Sequence, residues 1–93
     1  MLRIKTTKRF RKALKRYRGS GRFREEELRR VVQMLVSQTV LSERYEDHAL
    51  QGVMANFREC HVLPDLLLVY IIFERELVLV LVNFGSHAEL FGK

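Results

Sequence analysis

Three histidines in the second half of the chain are the residues best suited to chemistry: His48, His61 and His87. Histidine exchanges protons near neutral pH, because its unperturbed pKa is about 6.5. RNA carries its own nucleophile, the 2′-hydroxyl. Its cleavage therefore needs a base for that proton, an acid for the leaving 5′-oxygen, and positive charge at the phosphate. The histidines could fill both proton-transfer roles without a metal.

Carboxylates lie close to His61 in sequence. A strand is predicted over Phe57–Val62, and in a strand alternate side chains project from the same face. Glu59 and His61 then share one face, whereas Cys60 projects from the other. Asp65 follows just past the end of this strand. The spacing thus predicts a carboxylate–histidine cluster at one edge of a sheet.

Small residues precede the last histidine. Gly85 and Ser86 stand directly before His87. Small residues allow backbone amides to approach a phosphate closely. This segment is therefore interpreted as a phosphate-binding turn.

Two other interpretations of the histidines stay open. Each could be an ordinary loop or strand residue. Together with the cysteine they could also bind zinc, but no Cys-x-x-Cys or His-x-x-x-His spacing supports such a site. We predict no metal and no other cofactor. The four residues of the zinc alternative are His48, Cys60, His61 and His87.

Positive charge is concentrated at the N-terminus. The 93 residues include 17 Lys and Arg and 11 Asp and Glu, a net charge of +6. Eleven of the 17 basic residues fall within the first 24 positions, where there is no acidic residue. Such a stretch indicates an anionic partner such as nucleic acid, although it could also be a solvated helix face.

Composition narrows the class of protein. With 47% hydrophobic residues and 93 positions, the whole chain, 1–93, is predicted to form one globular domain. The single cysteine excludes an intrachain disulfide, and the charged N-terminus, which lacks an apolar segment, predicts no secretory signal. The longest apolar run, Leu66–Phe73, is far shorter than the roughly 20 residues of a membrane helix. We therefore expect a cytoplasmic protein with no membrane partner.

Helical periodicity marks two N-terminal helices after a short strand at 2–5. The first helix begins after Thr6 or Thr7 and ends before the glycines at 19 and 21, and the second spans Phe23–Gln38. Apolar side chains recur at helical spacing in both. In the first helix this stripe consists of Phe10, Ala13, Leu14 and Tyr17.

The remaining chain is predicted to form strands. An ordered loop covers 39–56, and strands follow at Phe57–Val62, Leu66–Phe73 and Leu77–Phe84. The element order is then β-α-α-β-β-β. This order predicts an α+β sandwich with a largely antiparallel sheet packed against the two helices.

Four motifs occur in the second half of the chain. They are Tyr45-x-Asp47-His48-x-Leu50-x-Gly52, then Phe57-Arg58-Glu59-Cys60-His61-Val62-x-Pro64-Asp65, then Leu67-Leu68-Val69-Tyr70, and finally Gly85-Ser86-His87-x-Glu89-Leu90-Phe91. In order and spacing they resemble the YafQ branch of the RelE/ParE superfamily, the toxins of bacterial type II toxin–antitoxin pairs. The resemblance is strong over residues 45–91 and weaker over residues 1–40.

The resemblance implies a RelE-like fold and a ribosome-dependent endoribonuclease, an mRNA interferase that cleaves translated message. His87 is then the expected general acid, Asp65 or His61 the expected base or base-orienter, and His48 a substrate-positioning residue. The implied catalytic residues are His48, Glu59, His61, Asp65 and His87. The expected RNA-binding residues are Arg58, Ser86, Phe91 and, on the first helix, Lys8, Arg11, Lys12 and Lys15.

The resemblance also implies partners. These are a cognate antitoxin of the ribbon-helix-helix class, similar to DinJ or RelB, and mRNA and ribosomal RNA on the ribosome. Operator DNA would be bound through the antitoxin complex. An acidic, amphipathic segment of the antitoxin would cover the cleft and the basic helix.

The chain departs from the family pattern at three places. Relatives usually carry arginine at the position of Asn83, Trp-Lys-Gly at 54–56 and tryptophan at the position of Leu66. An arginine at 83 would stabilise phosphate charge, so activity is expected to be reduced unless Arg58 supplies that charge. The alternative function is a catalytically weakened or inactive scaffold that binds antitoxin or DNA. A gyrase-poisoning relative of the same fold is disfavoured by the histidines.

Overall fold

Two helices pack against one face of a five-stranded sheet. The computed structural model describes residues 1–21 and 23–92. The strands are β1 (Arg3–Thr6), β2 (His48–Ala49), β3 (Arg58–Leu63), β4 (Leu66–Phe73) and β5 (Val78–Gly85). The helices are α1 (Lys8–Arg18), α2 (Glu25–Val36) and α3 (His87–Phe91), and short 3-10 turns at Glu43–Tyr45 and Gly52–Met54 flank β2. The predicted α+β class is confirmed.

The sheet has the order β1-β5-β4-β3-β2. The pairs β2–β3, β3–β4 and β4–β5 are antiparallel, and β1 runs parallel to β5. Short turns at 64–65 and 74–77 join β3 to β4 and β4 to β5, and such short connections require antiparallel neighbours. The prediction of a largely antiparallel sheet is therefore confirmed.

A threonine cap starts α1 and attaches it to the sheet. The Thr7 hydroxyl accepts a hydrogen bond from the Phe10 amide at 3.0 Å and donates one to the Val82 carbonyl at 2.5 Å. Phe10 and Ala13 then lie buried against the sheet. The basic side chains of α1 consequently remain on the outside.

Helix α2 is two residues shorter at each end than the prediction of Phe23–Gln38. Ser37 follows its last turn, and its hydroxyl donates to the Gln33 carbonyl at 2.9 Å. Gln38 has a φ of 58°, which is incompatible with a continuing right-handed helix. The helix therefore ends at Val36.

Strand alternation gives the sheet two different faces. Leu68 and Tyr70 belong to the core beneath the helices, whereas the intervening Leu67 and Val69 are buried outside that core cluster. Because side chains alternate along a strand, Leu67 and Val69 lie on the opposite face. This second face is the one that carries the residues predicted to be catalytic.

One strand and one α-helix were not predicted. The segment 39–56, interpreted as an ordered loop, contains β2, and the segment after Gly85 forms helix α3. Ser86 caps α3, and its hydroxyl accepts a hydrogen bond from the Glu89 amide at 3.2 Å. In the other direction, the Ser86 amide donates to the Glu89 carboxylate at 2.8 Å. The sequence signal was the Ser-x-x-Glu spacing of this capping box.

Candidate active site

The five candidate catalytic side chains are carried by β2, β3, the turn after β3 and α3. His48 in β2 pairs across the strands with Glu59 in β3, and His61 follows two residues further along β3. Asp65 occupies the turn between β3 and β4, and His87 is the first residue of α3. Strand pairing and the short turn thus position residues that span 40 positions of sequence.

His61 and His87 face each other. Their ring centroids are 5.6 Å apart, with an angle of 59° between the ring planes. Nδ1 of His61 lies 3.1 Å from the carbonyl oxygen of Pro64. A carbonyl can only accept, so Nδ1 carries the hydrogen, and in the neutral ring Nε2 retains the lone pair. His61 is therefore arranged to accept a proton through Nε2.

His87 is oriented by Asp65. Oδ1 of Asp65 lies 3.2 Å from Nδ1 of His87 and accepts the His87 backbone amide at 3.3 Å. An ionised carboxylate can only accept, so Nδ1 of His87 carries a hydrogen and Nε2 is the nitrogen left to exchange a proton with the substrate. This geometry makes Asp65 an orienting group and His87 a candidate acid.

His48 and Glu59 form a second pair. Nε2 of His48 is 2.9 Å from Oε1 of Glu59, and Nδ1 of His48 is 2.6 Å from the backbone oxygen of Glu46. Both ring nitrogens thus face acceptors, which together hold the ring in one orientation. Glu59 is buried, and among the described protein atoms its Oε2 has no hydrogen-bond partner. This oxygen provides an acceptor beside the cluster.

Phe91 and Ser86 lie at the two ends of α3. The Phe91 ring is 6.3 Å from the His87 ring, as expected for residues four apart on a helix, and it is 36% exposed. Its exposed ring is available for stacking on a base. The Ser86 hydroxyl and amide both bond to Glu89, so a phosphate contact from Ser86 would compete with the helix cap.

The structure does not bring Arg58 to this cluster. Its side chain projects on the same side of β3 as Cys60, beside Tyr70 of the adjacent strand, and its Nε lies 3.3 Å from Oδ1 of Asp47. Alternation along β3 places it opposite to Glu59. The expectation that Arg58 supplies phosphate charge beside His61 and His87 is therefore not supported by the geometry.

Asp47 is a structural residue that belongs to the first sequence motif but was given no role there. Its Oδ1 accepts from the hydroxyl of the buried Tyr70 at 2.5 Å as well as from Arg58. Burial, followed by this bond to Asp47, raises the pKa of Tyr70 well above its usual range. Asp47 thus fixes the segment before His48 to the core.

We expect Asp47→Ala to lower the free energy of unfolding by about 1–3 kcal/mol, because it leaves the buried Tyr70 hydroxyl without its acceptor. Urea denaturation measures the change. In the double variant Asp47→Ala/Tyr70→Phe part of the loss should be recovered, since the orphaned hydroxyl is gone. Equal midpoints for wild type and Asp47→Ala would contradict this role. Glu43→Ala, at an exposed position, is the control.

The α1 cations are exposed along the helix. Lys8, Arg11, Lys12 and Lys15 all face solvent, and Arg11 also donates to the backbone oxygen of Thr6 at 2.8 Å. A cavity of about 300 Å³ lies between α1, β5 and α3. The cavity-lining side chains that carry polar or charged groups are Arg9, Lys12, Arg16, Asn83 and Glu89.

The zinc alternative is not supported by the positions of its residues. Cys60 is fully buried on the helix side of the sheet, and burial raises the pKa of its thiol to about 12. Within residues 1–21 and 23–92, no three His, Cys, Asp or Glu side chains converge as a metal-binding group. No helix in the same part of the chain is long and apolar enough to cross a membrane.

Comparison with known proteins identifies the family of this chain. A family model described as the bacterial toxin of a type II toxin–antitoxin system, YafQ, matches residues 2–92. The chain belongs to the YafQ family. It is 36% identical over 66 residues to the mRNA interferase toxin YafQ of Escherichia coli strain K12, and the match covers 70% of each chain. This family assignment agrees with the resemblance of the four motifs.

Solved structures of related toxins have the same architecture. A metal-bound toxin from Helicobacter pylori is 47% identical with a TM-score of 0.90, and the match covers 98% of this chain and all of that chain. YafQ in the E. coli DinJ–YafQ complex is 29% identical with a TM-score of 0.87, over 99% of this chain and all of that chain. The RelE-like fold expected from the sequence is thus confirmed.

Proposed function

We propose that this YafQ-family toxin is a ribosome-dependent endoribonuclease that cleaves translated mRNA through its own 2′-hydroxyl. The observation that carries the proposal is the opposed pair His61 and His87, with ring centroids 5.6 Å apart and Asp65 on Nδ1 of His87. A base and an acid at this separation can act on opposite sides of one phosphate. The E. coli relative is itself named an mRNA interferase.

The proposed reaction needs two proton transfers, one from the attacking 2′-hydroxyl and one to the leaving 5′-oxygen. Nε2 of His61 removes the 2′-hydroxyl proton, and the resulting oxygen attacks the adjacent phosphorus. The bond from phosphorus to the 5′-oxygen breaks, and Nε2 of protonated His87 gives its proton to that leaving oxygen. The products are a 2′,3′-cyclic phosphate and a 5′-hydroxyl. Asp65 holds the His87 ring in position.

The remaining cluster residues position the substrate in this proposal. Nε2 of His48 lies 2.9 Å from Oε1 of Glu59, on the same sheet face as His61. In this proposal the His48 ring donates a hydrogen bond to a phosphate oxygen of the substrate. Phe91 stacks on a base, which suits single-stranded message because its bases are unpaired.

Cationic α1 and the anionic partners are matched in charge. Its exposed lysines and arginines would bind ribosomal RNA phosphates, an interaction that weakens steeply with salt. In this proposal a cognate antitoxin binds the toxin, as DinJ and YafQ form a complex in E. coli. An acidic segment of that antitoxin would cover the cationic surface because the charges are opposite. Operator DNA would be bound through that complex.

Dependence on translation is the direct test. We expect induction of the toxin to cut a reporter message at sites in frame with its codons, and cutting should cease when only the start codon is removed. Primer extension on both messages locates the cuts, and sequencing of 3′ ends identifies the cyclic phosphate. Equal cutting of the two messages would exclude the ribosome-dependent mechanism, although it would leave the RNase activity itself.

A second candidate function is favoured by Asn83. Its Oδ1 accepts a hydrogen bond from the Phe84 amide at 2.9 Å, so the side chain contacts the adjacent backbone. Unlike arginine, it carries no positive charge for a phosphate. A chain without that charge could bind antitoxin as an inactive scaffold. Substitution at this position separates the two functions.

A further inference from the structure

Helix α3 carries two of the proposed functional residues but has little to hold it in place. It spans only five residues, His87–Phe91, and none of them is buried. Isolated helices much shorter than about 12 residues are unstable in water. The position of His87 therefore depends on contacts that α3 makes with the rest of the protein.

Asp65 contacts the ring and amide of His87, and Glu89 provides the hydrogen bonds that join α3 to α1. Oε1 of Glu89 accepts from the Ser86 amide at 2.8 Å and from the hydroxyl of Tyr17, and Oε2 accepts from Arg16 at 3.1 Å. Tyr17 and Arg16 belong to α1. Glu89 thus closes the cap of α3 and joins it to a long helix.

The anchor in α1 is itself fixed by the core. The Tyr17 ring lies 5.3 Å from the ring of the buried Phe84 and 6.0 Å from that of Phe23. Burial, together with the bond to Glu89, raises the pKa of the Tyr17 hydroxyl to about 12, so it remains a donor at neutral pH. The hydrogen bond from Tyr17 to Glu89 therefore attaches α3 to a side chain that packs against the core.

Close approach of backbone and carboxylate explains the glycine before the cap. A Cβ built at Gly85 would lie 2.9 Å from Oε1 and 3.3 Å from Cβ of Glu89. Any larger residue at 85 would displace the carboxylate from its position on the Ser86 amide. The space for Glu89 is thus created by the Gly85-Ser86 sequence that was first interpreted as a phosphate-binding turn.

We propose that Glu89 is a positioning residue, which holds His87 and Phe91 over the substrate by tying α3 to Tyr17 and Arg16 of α1. This inference rests on the proposed RNase function. The ion pair with Arg16 is largely exposed, and exposed pairs contribute little to stability. Loss of Glu89 should therefore release α3 without unfolding the domain.

The test compares Glu89→Ala and Glu89→Gln with a matched control. The control is Glu25→Ala. Glu25 is another carboxylate that pairs with an arginine of α1, since its Oε2 lies 2.6 Å from Arg18, but this pair does not involve α3. Hydrogen exchange is measured at the amides of Leu90 and Gly92, which donate to the carbonyls of Ser86 and Ala88. The ring-to-ring nuclear Overhauser effect between His61 and His87, the thermal midpoint and the cleavage rate are measured on the same samples.

We expect Glu89→Ala to speed exchange at both amides by at least about fivefold, the effect of a lost helix cap. The His61–His87 Overhauser effect should weaken, and cleavage should fall by up to about a hundredfold, as for a misplaced catalytic group. Glu89→Gln should recover part of both, because glutamine can close the same cap. Glu25→Ala should leave α3 exchange and cleavage unchanged.

A second variant tests the same tie with the carboxylate still present. Gly85→Ala should displace Glu89 and reproduce faster α3 exchange. Unchanged exchange and ring contacts in Glu89→Ala, or faster exchange with full cleavage, would overturn the positioning role. If wild-type protein itself does not cleave RNA, the proposed function fails, whereas exchange and Overhauser data still decide whether Glu89 holds α3.

Discussion

His87→Ala is expected to lower the rate of mRNA cleavage by about a hundred- to ten-thousandfold, the contribution typical of a general acid. The ring is about half exposed and contacts Asp65 at 3.2 Å and His61 across 5.6 Å. Its removal leaves the 5′-oxygen to depart without a proton. Because alanine favours the first turn of a helix, α3 should persist. Growth arrest after induction should disappear together with the cuts.

The measurement is single-turnover cleavage of message on purified ribosomes, with primer extension of the products. Arg75→Ala, in the exposed turn between β4 and β5, is the control for expression and handling and should cleave normally. Circular dichroism should give the same thermal midpoint for all three proteins. Cleavage by His87→Ala within about threefold of wild type would remove His87 from the mechanism, since even a weak general acid contributes more.

Loss of activity in His87→Ala does not by itself identify the base. The structure distinguishes the candidates by their hydrogen bonds. Asp65 is engaged with the ring and amide of His87, whereas His61 donates through Nδ1 and has Nε2 available as an acceptor. Of the two alternatives left open by the sequence, His61 is thus the better base and Asp65 the better orienter.

The sheet and the two long helices could be predicted because they repeat. Apolar side chains recur at helical spacing in α1 and α2, and uninterrupted apolar runs mark β4 and β5. Helix ends were less predictable. The end of α2 depends on Gln38, whose positive φ is a property of the local backbone and not of the hydrophobic pattern.

Parts of the site could not be predicted because they depend on nonlocal pairing or on very short elements. β2 has two residues, and its register against β3, His48 opposite Glu59, is set by tertiary structure. Helix α3 is too short for periodicity, so only the spacing of Ser86 and Glu89 indicates it. The Glu89 tie to α1 joins residues 72 positions apart and has no sequence signature.

The position of Arg58 is a different case, because strand alternation in the sequence already predicts the face of β3 on which it lies. Placing Glu59 and His61 on one face of a strand puts Arg58 on the other face with Cys60. The structure shows that arrangement, with Arg58 bonded to Asp47. The motif resemblance suggested a substrate contact, and simple strand geometry argues against it.

Without Arg58, the missing charge at Asn83 becomes the main question for activity. The family pattern implies arginine there, and Asn83→Arg is expected to raise the cleavage rate by up to about a hundredfold, the effect of one donor on a developing negative charge. Asn83 lines the cavity of about 300 Å³ together with Arg9, Lys12 and Arg16. Positive charge is already present in this cavity. A higher cleavage rate in Asn83→Arg would therefore show that the position of the charge, and not its amount, limits the rate.

Asn83→Gln is the matched control, because it lengthens the side chain without adding charge and should leave the rate unchanged. Glu89 lines the same cavity, so α3 amide exchange must be measured in Asn83→Arg to show that the new guanidinium has not broken the Glu89 tie. A faster enzyme with unchanged exchange identifies a weakened toxin. Equal or lower cleavage with intact α3 would show that more than one charge is missing, and would favour the scaffold that binds antitoxin without cutting RNA.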